Sequence, residues 1–469
     1  MMKTRCQVVL KFVKLKILWA FLKYYIRMKE EEIRDFCNCE ILKSANKNCD
    51  YKISTDTRTI NNGDIYLPLK GANFDGEKFI KDALKKGAIG YFTTNDVIFD
   101  SAEIIIQVKD TLKAYLELAN GYRTKINPKV VAITGSSGKT TTKEMVYSVL
   151  SQKYNTVKTF SNHNNEIGFC QTVFSMTPQT EVLIIETGMR GLGEIELITK
   201  YAKPDYAIIT NSGSAHIGRL GSLENIAKAK CEIAKYLNPK GAFIALNQDI
   251  IKNTVQYDGE QIYYSINDVE ILEKRTGYSK FVYKKNEYEL NIEGDYNIEN
   301  SLSAIETGLK LGLSYEQIKT GLASYHPIEK RWEAEEINGY KVINDSYNAN
   351  PESMKASVKT FIELYKDSVV VLGNMGELGE NEGEYHREVG RYLSRTNIKN
   401  VKYITVGDLA REIGEELATS GFDVKYFMSN EEAACYILDN INVGTTIFLK
   451  ASRSMKFEEI IERLKRGKI

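Results

Sequence analysis

Val130-Val-Ala-Ile-Thr134 is a short unbroken apolar run, and Gly135-Ser-Ser-Gly-Lys-Thr-Thr-Thr142 follows it directly. The run reads as a buried strand. Met145, Val146, Val149 and Leu150 then mark one face of a helix. A strand, a small-residue loop and a helix in that order demand a parallel sheet with helices on its faces. In that setting Gly135 and Gly138 let backbone N–H groups turn toward phosphate oxygens. The helix N-terminus adds partial positive charge. Lys139 reaches the outer phosphates, and Thr140 offers its hydroxyl to Mg²⁺. The usual phosphate-loop spacing asks for a further glycine five residues before Gly138, and the chain has none there. An ordinary Gly/Ser turn is the competing reading, and Lys-Thr after the second glycine weighs against it.

The same alternation runs through the chain. Glu181-Val-Leu-Ile-Ile-Glu186 and Tyr206-Ala-Ile-Ile-Thr210 are further buried strands beside the first. Leu112, Tyr115, Leu116 and Ala119 fall at helical spacing, and Thr124-Lys-Ile-Asn-Pro128 reads as a linker. A break near Tyr325-His-Pro327 opens a third unit. Its strands are Ser368–Leu372, Val401–Val406 and Thr446–Leu449, with a helix over Glu384–Leu393. At 469 residues, about three domains are expected. The boundaries fall at 28–127, 128–326 and 327–469. The fold class is α/β: a small N-terminal α/β domain, a central parallel-sheet phosphate-loop domain and a C-terminal Rossmann-like domain.

A net charge of +1 gives no general attraction to nucleic acid. The basic residues are uneven, however: seven Lys/Arg and no acidic residue precede Met28. No apolar run in residues 1–27 is long enough to span a bilayer. The segment reads as an upstream start, with Met28 opening the first domain. A basic membrane-surface helix is the second reading. Seven scattered cysteines without a CxxC pair indicate free thiols in a reducing cytoplasm. Cys37-x-Cys39 with Cys49 is a weak metal candidate with no histidine nearby.

Two residues beyond the loop suit metal chemistry. Glu186 closes its strand, and ligands gather at the carboxyl ends of parallel strands; a solvated strand end is the alternative. His216 follows Asn211-Ser-Gly-Ser-Ala just past another strand, as a ligand or a surface residue.

The ordered set GSSGKTTTKEM, IIETGMRGLGEIELI, SAHIGRLGSLENIAKAKCEIA and INDSYNANPESM resembles the Mur ligases, from about residue 28 to the C-terminus. Within them it resembles the type that adds D-alanyl-D-alanine to UDP-N-acetylmuramoyl-tripeptide. The resemblance implies a cytoplasmic, monomeric, ATP- and Mg²⁺-dependent ligase of peptidoglycan synthesis. ATP phosphorylates the tripeptide carboxylate, and the amine of D-alanyl-D-alanine attacks the acyl phosphate.

The resemblance also assigns residues. Lys139, Glu186, His216 and Lys230 are the catalytic set, with Thr140, Glu186, His216 and a carbamylated Lys230 holding metal. Gly135, Ser136, Ser137, Gly138, Lys139, Thr140 and Thr141 cradle ATP phosphates. Asn297 and Asn300 lie on the adenosine side, although helix capping would also explain either one. Arg331 reaches the ATP, Asp345 contacts ribose, and Tyr347, Asn348 and Asn350 share its motif. Ser54, Asp56, Thr57, Arg58, Gly71, Asn73 and Asp75 match the UDP-sugar motifs, and Asn164 and Asn165 match a loop near the muramoyl group. His386 and Arg453 are assigned to the acceptor side.

Departures from the family pattern include Glu77 for His, Asn374 for Asp and Ala451 for Gly. The ligase type adding the third stem residue is the rival reading, but its Asp-Asn-Pro-Arg motif is missing from the chain. Folylpolyglutamate synthase-like enzymes lack the Ser-Thr-Asp-Thr-Arg domain. A nucleotide switch has no need of a third unit carrying Arg331 and Asp345.

Overall fold

The computed structural model describes residues 27–45, 49–71, 74–96, 98–328 and 330–467. The basic segment 1–26 and the substrate-site candidate Asn73 lie outside the described residues. Contacts divide the chain into two compact units. The first comprises Met1–Val130, Tyr154–Ile185 and Lys200–Lys203, and the second the remainder.

In the first unit, Tyr51–Ser54, Ile65–Tyr66, Gly90–Thr93 and Ile104–Val108 form a parallel core sheet. Arg27–Met28 and Cys39–Lys43 flank it as antiparallel edges. Tyr66, Ile80, Ala83, Tyr91 and Ile105 pack on one side of it. The helix Thr111–Ile126 begins at an Asp110 cap and ends on Asn127, which takes the left-handed conformation. The expected linker at 124–128 is therefore helical as far as Ile126. Tyr115 on this helix packs against Phe174, with ring centres 5.2 Å apart.

In the second unit, residues 131–134, Tyr206–Ile209, Ala242–Leu246 and Glu260–Tyr264 pair in parallel, with Tyr206–Ile209 between the first and third. The Val, Ile and Ala side chains of the first three are buried on both faces, as a covered parallel sheet requires, whereas the edge strand Glu260–Tyr264 is partly exposed. An antiparallel meander follows, Val269–Arg275, Tyr278–Tyr283 and Asn286–Leu290. The C-terminal sheet runs Glu333–Ile337, Tyr340–Asn344, Thr446–Lys450, Ser368–Gly373, Val401–Val406, Asp423–Phe427. Only its first edge is antiparallel. One layer of its core gathers Val369, Val371, Ile404, Ile447 and Leu449 under Ile437, Ile460 and Leu464.

Candidate active site

The loop between Thr134 and Lys139 is held by the segment that follows the Tyr206–Ile209 strand. Ser137 N–H donates to Asn211 Oδ1 at 2.9 Å, and Asn211 Nδ2 donates to Ser137 Oγ at 3.0 Å. Thr210 Oγ1 donates to Ser137 O at 2.5 Å. A Cβ on Gly135 would sit 1.8 Å from that threonine hydroxyl. Gly138 caps the helix Lys139–Leu150 at φ +77°, and a Cβ there would meet Asn300 Oδ1 at 2.5 Å. Both glycines are thus demanded by crowding, the second also by its backbone.

The helix delivers three side chains to one place. Thr140 Oγ1 donates to Glu186 Oε2 at 2.9 Å, with both residues buried. Lys143, one turn on, is fully buried and lies 3.3 Å from the same Glu186 oxygen and 3.5 Å from Glu144. Lys139 Nζ donates to Gly135 O at 2.6 Å, curled over the loop. Desolvation holds its ammonium below the ordinary range; Glu186 opposes that and Arg331 adds to it.

Lys230 lies in the last turn of the helix Leu223–Cys231 at 1% exposure. Burial holds its amine well below the ordinary lysine range, and Lys139 lowers it further. No carboxylate pairs with it among the described residues. His216 is engaged by a carboxylate: its Nδ1 lies 2.5 Å from Glu377 Oε2, and Arg219 joins the same carboxylate at 3.3 Å. Gly218 N–H also donates to Glu377 O at 3.1 Å. Among the described residues no group of three or more His, Cys, Asp or Glu is gathered tightly enough to hold a metal unaided. Thr140 and Glu186 do fit Mg²⁺, being two hard oxygen donors at a helix N-terminus beside phosphate-binding backbone.

The C-terminal segment reaches the loop directly. Asn350 Nδ2 donates to Ser136 O at 3.4 Å while its Oδ1 caps the helix Pro351–Leu364. Glu352 accepts from Ser214 N–H and Oγ–H at 2.9 and 3.0 Å. Arg331 lies face-on to Tyr347, 3.9 Å from the ring centre, and Arg453 approaches the same ring at 5.4 Å. Asp345 Oδ2 accepts from the buried Lys450 at 2.6 Å, and Asn348 O also approaches that ammonium.

The asparagine pair is resolved in one respect. The helix Asp295–Lys310 starts at Gly294, so Asn297 and Asn300 lie inside it and neither caps it. Asn297 Nδ2 donates to Glu293 O, and Asn300 Oδ1 accepts from Thr142 beside Gly138. Thr141 bonds the Tyr325 hydroxyl, whose pKa burial raises.

His386 lies in the interior. It is 0% exposed; Nε2 accepts Met375 N–H at 2.8 Å and Nδ1 meets Glu382 O at 2.6 Å. Burial lowers its pKa, and the ring props the loop at Met375.

In the first unit Arg58 forks onto Asp56, with contacts of 2.7 to 3.1 Å. Ser54 is buried beside them, and Thr57 O accepts from Lys86. Gly71 and Asp75 belong to a small hairpin, where Asp75 caps the next turn. Glu77, in place of the family histidine, accepts from Thr94 N–H and Oγ–H and from Asn95. Asn165 caps the helix Glu166–Val173 through Gly168 N–H, and Asn164 N–H donates to Asn162 O. Lys143, Lys450 and Glu352 escaped the sequence reading. The one available signal was Lys143 at one turn from Lys139 on a helix facing a carboxylate strand.

Three family models match the chain: the Mur ligase family catalytic domain over 51–123, the middle domain over 133–308 and the glutamate ligase domain over 330–453. A curated relative from Bacillus subtilis, UDP-N-acetylmuramoyl-tripeptide–D-alanyl-D-alanine ligase, is 36% identical, covering 88% of this chain and 92% of its own. The Escherichia coli protein of the same name is 30% identical over 92% and 97%. The crystal structure of MurF from Acinetobacter baumannii superposes with a TM-score of 0.85 at 27% identity, covering 95% of this chain and all of that one.

Proposed function

The chain belongs to the Mur ligase family, and we infer that it joins D-alanyl-D-alanine to UDP-N-acetylmuramoyl-tripeptide with conversion of ATP to ADP and phosphate. It is an ATP-dependent ligase of peptidoglycan precursor synthesis with the three-domain α/β architecture of its relatives. The ligase type that adds the third stem residue is not favoured, since both curated relatives carry the D-alanyl-D-alanine name.

The division of labour is as follows. Residues 28–127 hold the UDP-sugar through Ser54, Asp56, Thr57, Arg58, Gly71, Asn73 and Asp75; Asn164 and Asn165 stand near the muramoyl group. Residues 128–326 hold ATP and 327–469 hold the acceptor, with Arg453 on its surface. Backbone N–H groups of Gly135–Thr141 take the phosphates, and Lys139 neutralises charge on the group in transfer. Asn297 and Asn300 border the adenosine. Arg331, stiffened on Tyr347, approaches the phosphates, in keeping with its influence on Lys139. Lys450 engages only Oδ2 of Asp345, which leaves Oδ1 to accept from ribose hydroxyls.

Thr140 and Glu186 would hold Mg²⁺, which would supply charge neutralisation at the transferring phosphoryl group. Lys230 is the second anchor as a carbamate. Burial and Lys139 both favour the neutral amine, the form that reacts with CO₂, and the carbamate anion would turn repulsion from Lys139 into attraction. His216 completes the set when freed from Glu377. The enzyme acts as a cytoplasmic monomer: two of its three substrates, ATP and the UDP-linked tripeptide, carry nucleotides, and Arg331, Asp345 and the phosphate loop all come from one chain. No helix among the described residues is long and apolar enough to cross a membrane.

The observation that carries this reading is the buried Thr140–Glu186 contact beneath the Lys139 loop. The test is phosphate release from ATP by the purified protein with UDP-N-acetylmuramoyl-tripeptide. D-alanyl-D-alanine should trigger release and yield the pentapeptide; release indifferent to it would overturn the assignment.

A further inference from the structure

Two thiols in the first unit share one carbonyl and take no part in the chemistry above. The helix Glu30–Phe36 gives way to Cys37, whose backbone is extended at φ −125°, ψ 149°. The strand Cys39–Lys43 begins two residues on. In extended backbone residues i and i+2 share a face, so both side chains turn back to the helix end. There Ile33 O accepts Cys37 N–H at 3.1 Å and the Cys37 thiol at 3.2 Å, and the Cys39 thiol reaches it at 3.9 Å. Two extended residues span about 6.4–6.8 Å between Cα atoms. That is the upper end of the roughly 4.4–6.8 Å that a disulfide bridges. Asn38 between them is steadied by donating its N–H to Glu117 Oε2 at 3.1 Å.

The two thiols are not equivalent. Cys37 is 4% exposed, whereas Cys39 is half-buried and reachable. The neighbouring Cys37 thiol and the nearby Arg34 favour the Cys39 thiolate, against burial and Glu117. The neighbouring Cys39 and burial push the Cys37 thiol up. This is the asymmetry of an attacking and a resolving thiol.

We propose that Cys37 and Cys39 form a redox dithiol that closes to an intramolecular disulfide on reaction with a small-molecule disulfide. The Cys39 thiolate attacks one sulfur of the reagent, whose S–S bond breaks and releases one thiolate. Cys37 gives up its proton to that thiolate and attacks the Cys39 sulfur, expelling the second half of the reagent. Two protein thiols are oxidised by two electrons, and one small disulfide becomes two thiols.

The experiment treats the full-length protein with oxidised glutathione, blocks remaining thiols by alkylation, digests it and weighs the peptide containing residues 37 and 39. The exposed Cys49 serves as an internal reference for a thiol with no partner in this pair. The wild-type peptide should lose two hydrogens, carry no glutathione and recover both alkylation sites after dithiothreitol. In Cys37→Ser, and independently in Cys37→Ala, glutathione should stay attached to Cys39. A wild-type peptide that retains glutathione on Cys39, or that keeps both thiols alkylatable where Cys49 has reacted, would overturn the proposal.

Discussion

Lys143 is fully buried and points its ammonium at Glu186, 3.3 Å from the oxygen that also accepts the Thr140 hydroxyl. The phosphate-loop helix thus brings its own counter-ion to the carboxylate it faces. Removing that ammonium leaves Glu186 and Glu144 close together in a low-dielectric pocket. Lys143→Met should therefore destabilise the protein by about 3–5 kcal/mol, the usual result of stripping one partner from a buried pair. Denaturant melts read this, and Lys143→Arg should recover part of the loss.

Lys139→Ala should lower phosphate release at least about a hundredfold, the scale on which a single transition-state electrostatic contact acts. Its melting temperature should hold or rise, because the lost ammonium was desolvated. An active Lys139→Ala protein would show that the loop does not bind the transferring phosphate.

Lys230 gives a dependence on pH. Its folded-state pKa is depressed, so between that value and the unfolded value of about 10.4 the unfolded chain binds more protons. Stability should rise with pH across that window and be lowest below the folded pKa. In bicarbonate-free buffer, urea midpoints of the wild type should climb from pH 7 toward 10, and Lys230→Met should flatten the climb. Added bicarbonate should stabilise the wild type alone. Short-chain carboxylic acids should restore part of the activity of Lys230→Ala.

Gly138→Ala forces a Cβ onto a left-handed residue that touches Asn300. The backbone alone should cost about 1–2 kcal/mol. ATP affinity, followed by titration calorimetry, should fall more than overall stability does, since the displaced groups are the loop's own.

Arg331→Lys keeps the charge and loses the flat stacking on Tyr347. A cation–π contact of roughly 1 kcal/mol corresponds to a several-fold rise in KM for ATP. Tyr347→Leu should reproduce that rise, and Tyr347→Phe should not.

Long apolar strands and helix faces were readable because their burial is nearly complete and their spacing regular. Ser368–Gly373 and Val401–Val406 are buried almost throughout and fall where the pattern puts them. The meander was missed for a local reason. Its second hairpin turns on Lys284 and Lys285, both at positive φ (48° and 66°), where Asn-Gly would be the readable signature. The alternating burial of Tyr278–Tyr283 was nonetheless present in the residue pattern. At the site, the phosphate loop and Glu186 were legible because their residue types are chemically rare at a strand end. Lys143 and Lys450 were not, since lysines are common and only the fold shows that these two are buried. The burial of His386 was hidden for the opposite reason: histidine suggests chemistry at a surface, and only the fold shows a ring with both nitrogens engaged in the interior.

Asn350 starts a helix with one side of its carboxamide and holds the Ser136 carbonyl with the other. Anyone building a chimera, with the acceptor domain of one ligase set on the nucleotide core of another, meets this residue at the seam. A transplanted segment that retains the helix start but shifts it by one residue would lose its hold on the phosphate loop. A successful graft has to match the Asn350–Ser136 and Glu352–Ser214 contacts as a unit, so the natural place to cut lies before Tyr340–Asn344 and not after it.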